Sequence, residues 1–245
     1  MSFGANDSVV ASKPAAPADA GPGTINRYFR GVLYGVVKHA ARLVMRGVYR
    51  AKVFGVESVP DTGGMLIAAN HQSYIDPPGI GCLPKRRLSY IAQSGLFKFK
   101  PFGWVIEALG SIAIRQDSGD AGAIKEVIRR LEMGDAVLIF PEGSRCETGE
   151  MEEFKRGVAL LVKRAKVPVV PVAIEGAFKA WPRQKKLPKV WGQRVWVSFG
   201  KPIAYEELMK DGADGAMVRL KKEIGELQQA LRAKMEGHQA PGTGH

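Results

Sequence analysis

The chain has 245 residues, 45% hydrophobic and 8% aromatic, enough apolar material for one sizeable core. Lys and Arg number 36 against 24 Asp and Glu, a net charge of +12 that favours anionic partners: an acidic membrane surface, a phosphorylated substrate, an acidic carrier protein or nucleic acid. Two cysteines, Cys82 and Cys146, without CxxC or ligand-spaced histidines, argue against a zinc site or a disulfide framework and fit reduced thiols in the cytosol.

Residues 1–23 are small and polar, rich in Ala, Pro and Gly, and lack the apolar core of a signal peptide. They read as a disordered tail. Residues 24–52 differ. Val32, Val36, Val37, Ala40, Ala41, Val44 and Val48 recur at helical spacing, and Lys38, Arg42, Arg46 and Arg50 follow at intervals of four. No acidic residue occurs between Thr24 and Val56. This is the pattern of a basic amphipathic helical segment lying on a membrane surface, with a domain-packed helix and a solvated basic edge as the alternative. No run of 18 apolar residues exists, so a membrane would be met at its surface.

From residue 53 to residue 237 strands and helices alternate. AKVFGVESV (51–59) and GMLIAAN (64–70) read as strands, PPGIGCLPK (77–85) as a short helix opened by proline, RRLSYIAQ (86–93) as a strand and LFKFKPFGWVIEALG (96–110) as a helix. SIAIRQ (111–116) is a strand, and AGAIKEVIRRLEMG (121–134) a helix that ends at Gly134. DAVLIFPEGSR (135–145) is a strand that runs into a loop. FKRGVALLVKRAK (154–166) is a helix, VPVVPVAIEGA (167–177) a buried strand, RVWVSFGKPI (194–203) another strand, and residues 217–235 the closing helix. The alternation predicts an α/β domain, a mixed, largely parallel sheet flanked by helices. Residues 238–245 read as a second disordered tail.

Within NHQSYIDP (70–77), His71 and Asp76 are five residues apart, which on one ideal helix leaves their side chains about 140° apart. They meet only if His71 ends a strand and Asp76 opens the next helix. Pro77 favours the first helical position and so makes Asp76 the expected N-cap. The carboxylate would then hold one imidazole nitrogen and leave the other basic. A helix cap and a strand-end histidine account for the same residues without chemistry. IFPEGSR (139–145) offers Gly143 and Ser144 backbone N–H groups beside Arg145, which suits an oxyanion or a phosphate, though Pro-Glu-Gly is also a common turn. VPVVPVAIEG (167–176) indicates core.

Together NHQSYIDP, GSIAIR, FPEGSR and VPVVPVAI resemble, in order and approximate spacing, the four motif blocks of the glycerolipid acyltransferases, nearest the bacterial 1-acyl-sn-glycerol-3-phosphate acyltransferases. The resemblance covers about residues 52 to 205. It implies an acyltransferase domain over 53–237, with His71 as general base and Asp76 orienting it. Glu142, Gly143, Ser144, Arg145 and Arg115 are implied in binding the acceptor, usually its phosphate, and Pro171 in structure or an acyl pocket. Two positions depart from the family. Gln93 stands where a lysine is usual, and Arg115 comes one place early, leaving Gln116 where an arginine is usual. Lys155 and Arg156 are candidates to compensate.

The implied reaction moves a fatty acyl chain from acyl-CoA or acyl-ACP to the hydroxyl of 1-acyl-sn-glycerol-3-phosphate and needs no metal or other cofactor. The expected setting is peripheral, at the cytoplasmic face of the cell membrane, with anionic membrane lipids and an acyl carrier protein as candidate partners. KAWPRQKKLPKVWG (179–192) adds mixed basic and aromatic residues that suit a lipid interface or an acidic carrier. Rival readings are an acyltransferase for a different lyso-lipid, a hydrolase using the same pair, and a non-enzymatic lipid-binding protein. Recognisable nucleic-acid motifs are missing.

Overall fold

The computed structural model describes residues 27–93, 111–114 and 121–238. The helix expected at 96–110, Arg115, Gln116 and both expected tails, apart from His238, lie outside the described residues.

Seven described strands form one sheet: β1 (Val53–Phe54), β2 (Met65–Ala69), β3 (Leu88–Gln93), β4 (Ser111–Ile114), β5 (Ala136–Ile139), β6 (Val169–Glu175) and β7 (Trp196–Phe199), in the order β1-β7-β6-β2-β5-β3-β4. Every neighbouring pair is parallel except β6 and β7, which are antiparallel. The fold is therefore the mixed, largely parallel α/β sheet that the alternation implied.

The central strands are continuously apolar because both faces are covered. Along β2 the side chains alternate. Met65, Ile67 and Ala69 join a core with Met45, Tyr49 and Ile80, while Leu66 and Ala68 join a second core with Val127, Leu161, Leu220 and Ile224. The first core is roofed by α1 (Arg27–Gly47) and α2 (Asp76–Gly81). The second is roofed by α3 (Ala121–Glu132), α4 (Arg156–Ala165) and the long α7 (Gly212–Gly237). Two single-turn α-helices, α5 (Ala177–Ala180) after β6 and α6 (Tyr205–Leu208) after β7, and a 3-10 turn at Val56–Ser58 complete the described set. Pro171 is buried in β6, in register with Ala68 of β2.

The amphipathic segment is helical, but its faces are arranged differently from a single apolar stripe beside a basic one. Tyr34, Met45 and the following Tyr49 are buried, and Ala41 and Val48 pack against the core. The basic side chains Lys38 and Arg42 also turn inward. Lys38 Nζ donates to the carbonyls of Pro84, Lys85 and Arg86, and Arg42 donates to those of Cys82 and Leu83. Carbonyls at the end of α2 have no helical partners, so cations are well placed there. Val32, Val36, Leu43 and Val44 remain exposed, Leu43 by 75%.

Candidate active site

Strands β2, β5 and β6 run parallel, so the segments that follow them emerge at one sheet edge. In open α/β sheets that edge, at the carboxyl ends of the strands, is where ligands bind. The three segments are those that carry NHQSYIDP, FPEGSR and the approach to α5.

Asn70 fixes the end of β2. Its buried amide donates to the Ile174 carbonyl at 2.9 Å and accepts from the Ile174 N–H at 2.8 Å, continuing the ladder to β6 with a side chain. The chain then turns, and His71 Nδ1 lies 2.8 Å from Asp76 Oδ2. Asp76 is fully buried, while the His71 side chain keeps 17% exposure. The same Oδ2 accepts the N–H groups of Gln72 and Ser73, each at 2.6 Å. Burial pushes the Asp76 carboxyl upward, and the bonds from His71, Ser73 and Gln72 pull the other way.

Asp76 is not the N-cap that Pro77 suggested. Ile75 holds that position, and Asp76 is the first residue of α2, with proline in the first turn. The contacts show the difference: Oδ2 reaches back to the 71–73 loop and Oδ1 makes no hydrogen bond, so neither oxygen caps a helix N–H group ahead of it.

The peptide of His71 is held on both sides by the loop after β5. Its N–H donates to Glu142 Oε1 at 2.7 Å, and its carbonyl accepts from the Cys146 N–H at 2.8 Å. The other Glu142 oxygen accepts the N–H of Glu152 at 2.8 Å. Glu142, placed by the motif among acceptor-binding residues, is thus completely buried with both oxygens on backbone donors. Burial raises its carboxyl to about 7, against the lowering pull of those two donors. Gly143 has φ 73°, in the left-handed region, and the Lys155 side chain lies over it. Its N–H closes the turn onto the Phe140 carbonyl at 3.0 Å. Lys155 is exposed beside this turn, and Arg156, the first residue of α4, is exposed too.

Three aromatic contacts finish the site. Phe140 stacks on the His71 ring, centroids 3.9 Å apart and planes within 16°. Tyr74 lies under Arg145, whose Cζ is 3.4 Å from the ring centroid, and 5.1 Å from the Trp181 ring. Arg145 Nη1 is buried and has no hydrogen-bond partner among the described residues. His71, Asp76, Glu142, Gly143, Ser144 and Arg145 therefore fall within two interlocked loops. Asn70, Gln72, Phe140 and Tyr74 are additional members that motif reading did not single out. Their roles come from contacts to other segments, although all four lie inside or next to the two blocks. Among the described residues no cluster of three or more His, Cys, Asp or Glu could hold a metal ion.

A carboxylate oxygen can only accept, so with Asp76 ionised the proton between the pair belongs to Nδ1, and Nε2 carries the lone pair. An imidazole held in that tautomer presents a basic nitrogen, and Arg145, without an ion pair among the described residues, lies on the loop that holds the His71 peptide.

The acyltransferase family model matches residues 50–175, just over half of the chain. A Bacillus subtilis 1-acyl-sn-glycerol-3-phosphate acyltransferase is 30% identical over 206 residues, 83% of this chain and 96% of that protein. The alpha form from Mus musculus is 35% identical over 173 residues, 66% of this chain and 58% of its own length. Against the chloroplastic Brassica napus relative, 26% identical, this chain spans only 46% of the length. The crystal structure of a 1-acyl-sn-glycerophosphate acyltransferase from Thermotoga maritima superposes with a TM-score of 0.65 at 25% identity, covering 82% of this chain and 80% of that one. The chain belongs to the acyltransferase family.

Proposed function

We propose that the protein is a 1-acylglycerol-3-phosphate O-acyltransferase. It moves a fatty acyl chain from a thioester of coenzyme A or acyl carrier protein to the free hydroxyl of 1-acyl-sn-glycerol-3-phosphate, giving phosphatidic acid. The observation that carries this reading is the 2.8 Å pair of His71 Nδ1 and Asp76 Oδ2, joined through the 140–146 loop to the unpaired Arg145. The names of the relatives support the acceptor.

In the reaction, His71 Nε2 takes the hydroxyl proton as the acceptor oxygen attacks the thioester carbonyl carbon. A tetrahedral oxyanion forms. It collapses with cleavage of the C–S bond, and the imidazolium returns the proton to the departing thiolate. Asp76 remains ionised, holds the ring and stabilises its cationic state. A protein nucleophile is unnecessary, because the thioester is already reactive toward an activated alcohol. Arg145 meets the acceptor phosphate with its free N–H donors.

The one acyl chain of the acceptor and the two of the product favour a bilayer. No described helix is long and apolar enough to cross a membrane. We place the protein peripherally on anionic lipid at the cytoplasmic face of the cell membrane. Val32, Val36 and Leu43 of α1 would enter the interface, with exposed Arg46 and Arg50 beside them.

The test offers the pure protein several lyso-lipid acceptors in competition, with each thioester, and identifies products by mass spectrometry. Phosphatidic acid as the main product supports the assignment. Preferential acylation of a lyso-lipid with a different headgroup, or release of free fatty acid alone, overturns it.

A further inference from the structure

Tyr74 is a large aromatic residue left 46% exposed at the edge of the site. Neighbouring contacts hold it in place. The Trp181 ring lies 5.1 Å away at 52°, and Trp181 is itself tied to the same segment, because its carbonyl accepts from Ser73 Oγ at 2.8 Å. The Trp181 indole N–H donates to the Lys185 carbonyl at 2.9 Å. Segment 71–76 and the loop after α5 thus hold one another, and the product of that mutual bracing is a tyrosine face turned to Arg145.

The guanidinium sits with its Cζ 3.4 Å from the centroid of that face. Stacking of this kind attracts a cation through the ring quadrupole. It also has a consequence for hydrogen bonding. A carboxylate partner would occupy two of the five guanidinium donors, whereas an aromatic face supports the flat side of the group and uses none. Among the described residues Arg145 has no ion pair, and its Nη1 is buried with no hydrogen-bond partner. The ring holds the cation in place, and no described residue takes up its in-plane donors, so an anion that reaches the guanidinium meets no competing acceptor there.

We infer that Tyr74 is a positioning residue for the acceptor: it fixes Arg145 by stacking and so sets affinity for the phosphate of the lyso-lipid. This rests on the acceptor reading given above. Loss of the ring lets the guanidinium turn to solvent, and ordering it again on each binding event weakens the acceptor complex. The hydroxyl of Tyr74 has no part in this, because the contact is made by the ring face.

Steady-state kinetics of the full chain, with 1-acyl-sn-glycerol-3-phosphate in mixed micelles of fixed composition, test the inference. Tyr74→Ala should raise the acceptor KM by about 2- to 30-fold, the range of a cation–π contact, with a much smaller change in kcat and in donor KM. Tyr74→Phe should restore the acceptor KM to near the wild-type value. In an Arg145→Ala background, Tyr74→Ala should add little, since the two act as one unit. An unchanged acceptor KM in Tyr74→Ala, a failure of Phe to rescue, or full additivity with Arg145→Ala overturns the role of Tyr74 alone. An Arg145→Ala variant with unaltered acceptor KM overturns instead the phosphate reading on which it rests.

Discussion

His71 is held by four kinds of contact. Asp76 bonds its ring nitrogen, Phe140 stacks on its face, Glu142 accepts its N–H, and the Cys146 N–H reaches its carbonyl. The base proposed here must stay within hydrogen-bond reach of the proton it removes, and fixing both peptide and ring limits the geometries His71 samples. Glu142 gives this arrangement a measurable signature. Its carboxyl is raised from the ordinary 4.5 to about 7. Between those values the folded protein keeps a proton that the unfolded chain has released, so stability falls as pH rises from about 4.5 to about 7 and is level above. The full loss attributable to this group is about 3 kcal/mol. Glu142→Gln, which cannot ionise, should lack that slope in urea unfolding followed across pH, although the amide leaves one backbone donor poorly paired at every pH. Equal slopes in the two proteins would show that Glu142 does not titrate in this way. The pairing of His71 with Asp76 was legible in the sequence because Pro77 announces a helix start after an apolar strand. The task of Glu142 was not: its motif position suggested the acceptor, and only the fold brings its oxygens to the N–H groups of His71, 71 residues earlier, and of Glu152.

At the scale of elements, the sheet was readable from alternating segments and uninterrupted apolar runs, since a strand covered on both faces has no polar side. The faces of α1 were harder to read. Lys38 and Arg42 fall on a regular basic stripe, and such spacing cannot distinguish a cation facing lipid from one that caps a neighbouring helix. The partners, Cys82 to Arg86, lie some 40 residues onward. Because α2 begins with Asp76 and ends against Arg42, the guanidinium braces the far end of the helix that carries the orienting carboxylate. Arg42→Ala should lower stability by about 1 to 2 kcal/mol, seen as a lower urea midpoint at constant m, because charge-assisted bonds to carbonyls are lost at a half-buried site. An unchanged midpoint would mean that this clamp contributes nothing measurable.

Across the whole molecule, the parallel strands β2, β5 and β6 deliver three loops to one edge, and the exposed apolar residues are distributed unevenly. Of the eleven large exposed hydrophobic residues described, four lie on α1, three in the loop at 187–191 and one, Tyr74, at the site. Eight of the eleven therefore lie on α1, in that loop or at the site, a distribution that the proposed attachment to a lipid surface would use. Val36→Asp with Leu43→Asp should reduce partition onto phosphatidylglycerol vesicles by at least about 10-fold in sedimentation, from lost apolar burial alone. Undiminished binding would assign membrane contact elsewhere on the surface. The central claim is that His71 is the base. It is tested most directly by the rate of thiol release from an acyl thioester in the presence of 1-acyl-sn-glycerol-3-phosphate, measured for wild type and for a folded His71→Ala variant. A loss of roughly 10²- to 10⁴-fold in turnover is predicted, and a variant that transfers acyl chains at the wild-type rate would contradict the account.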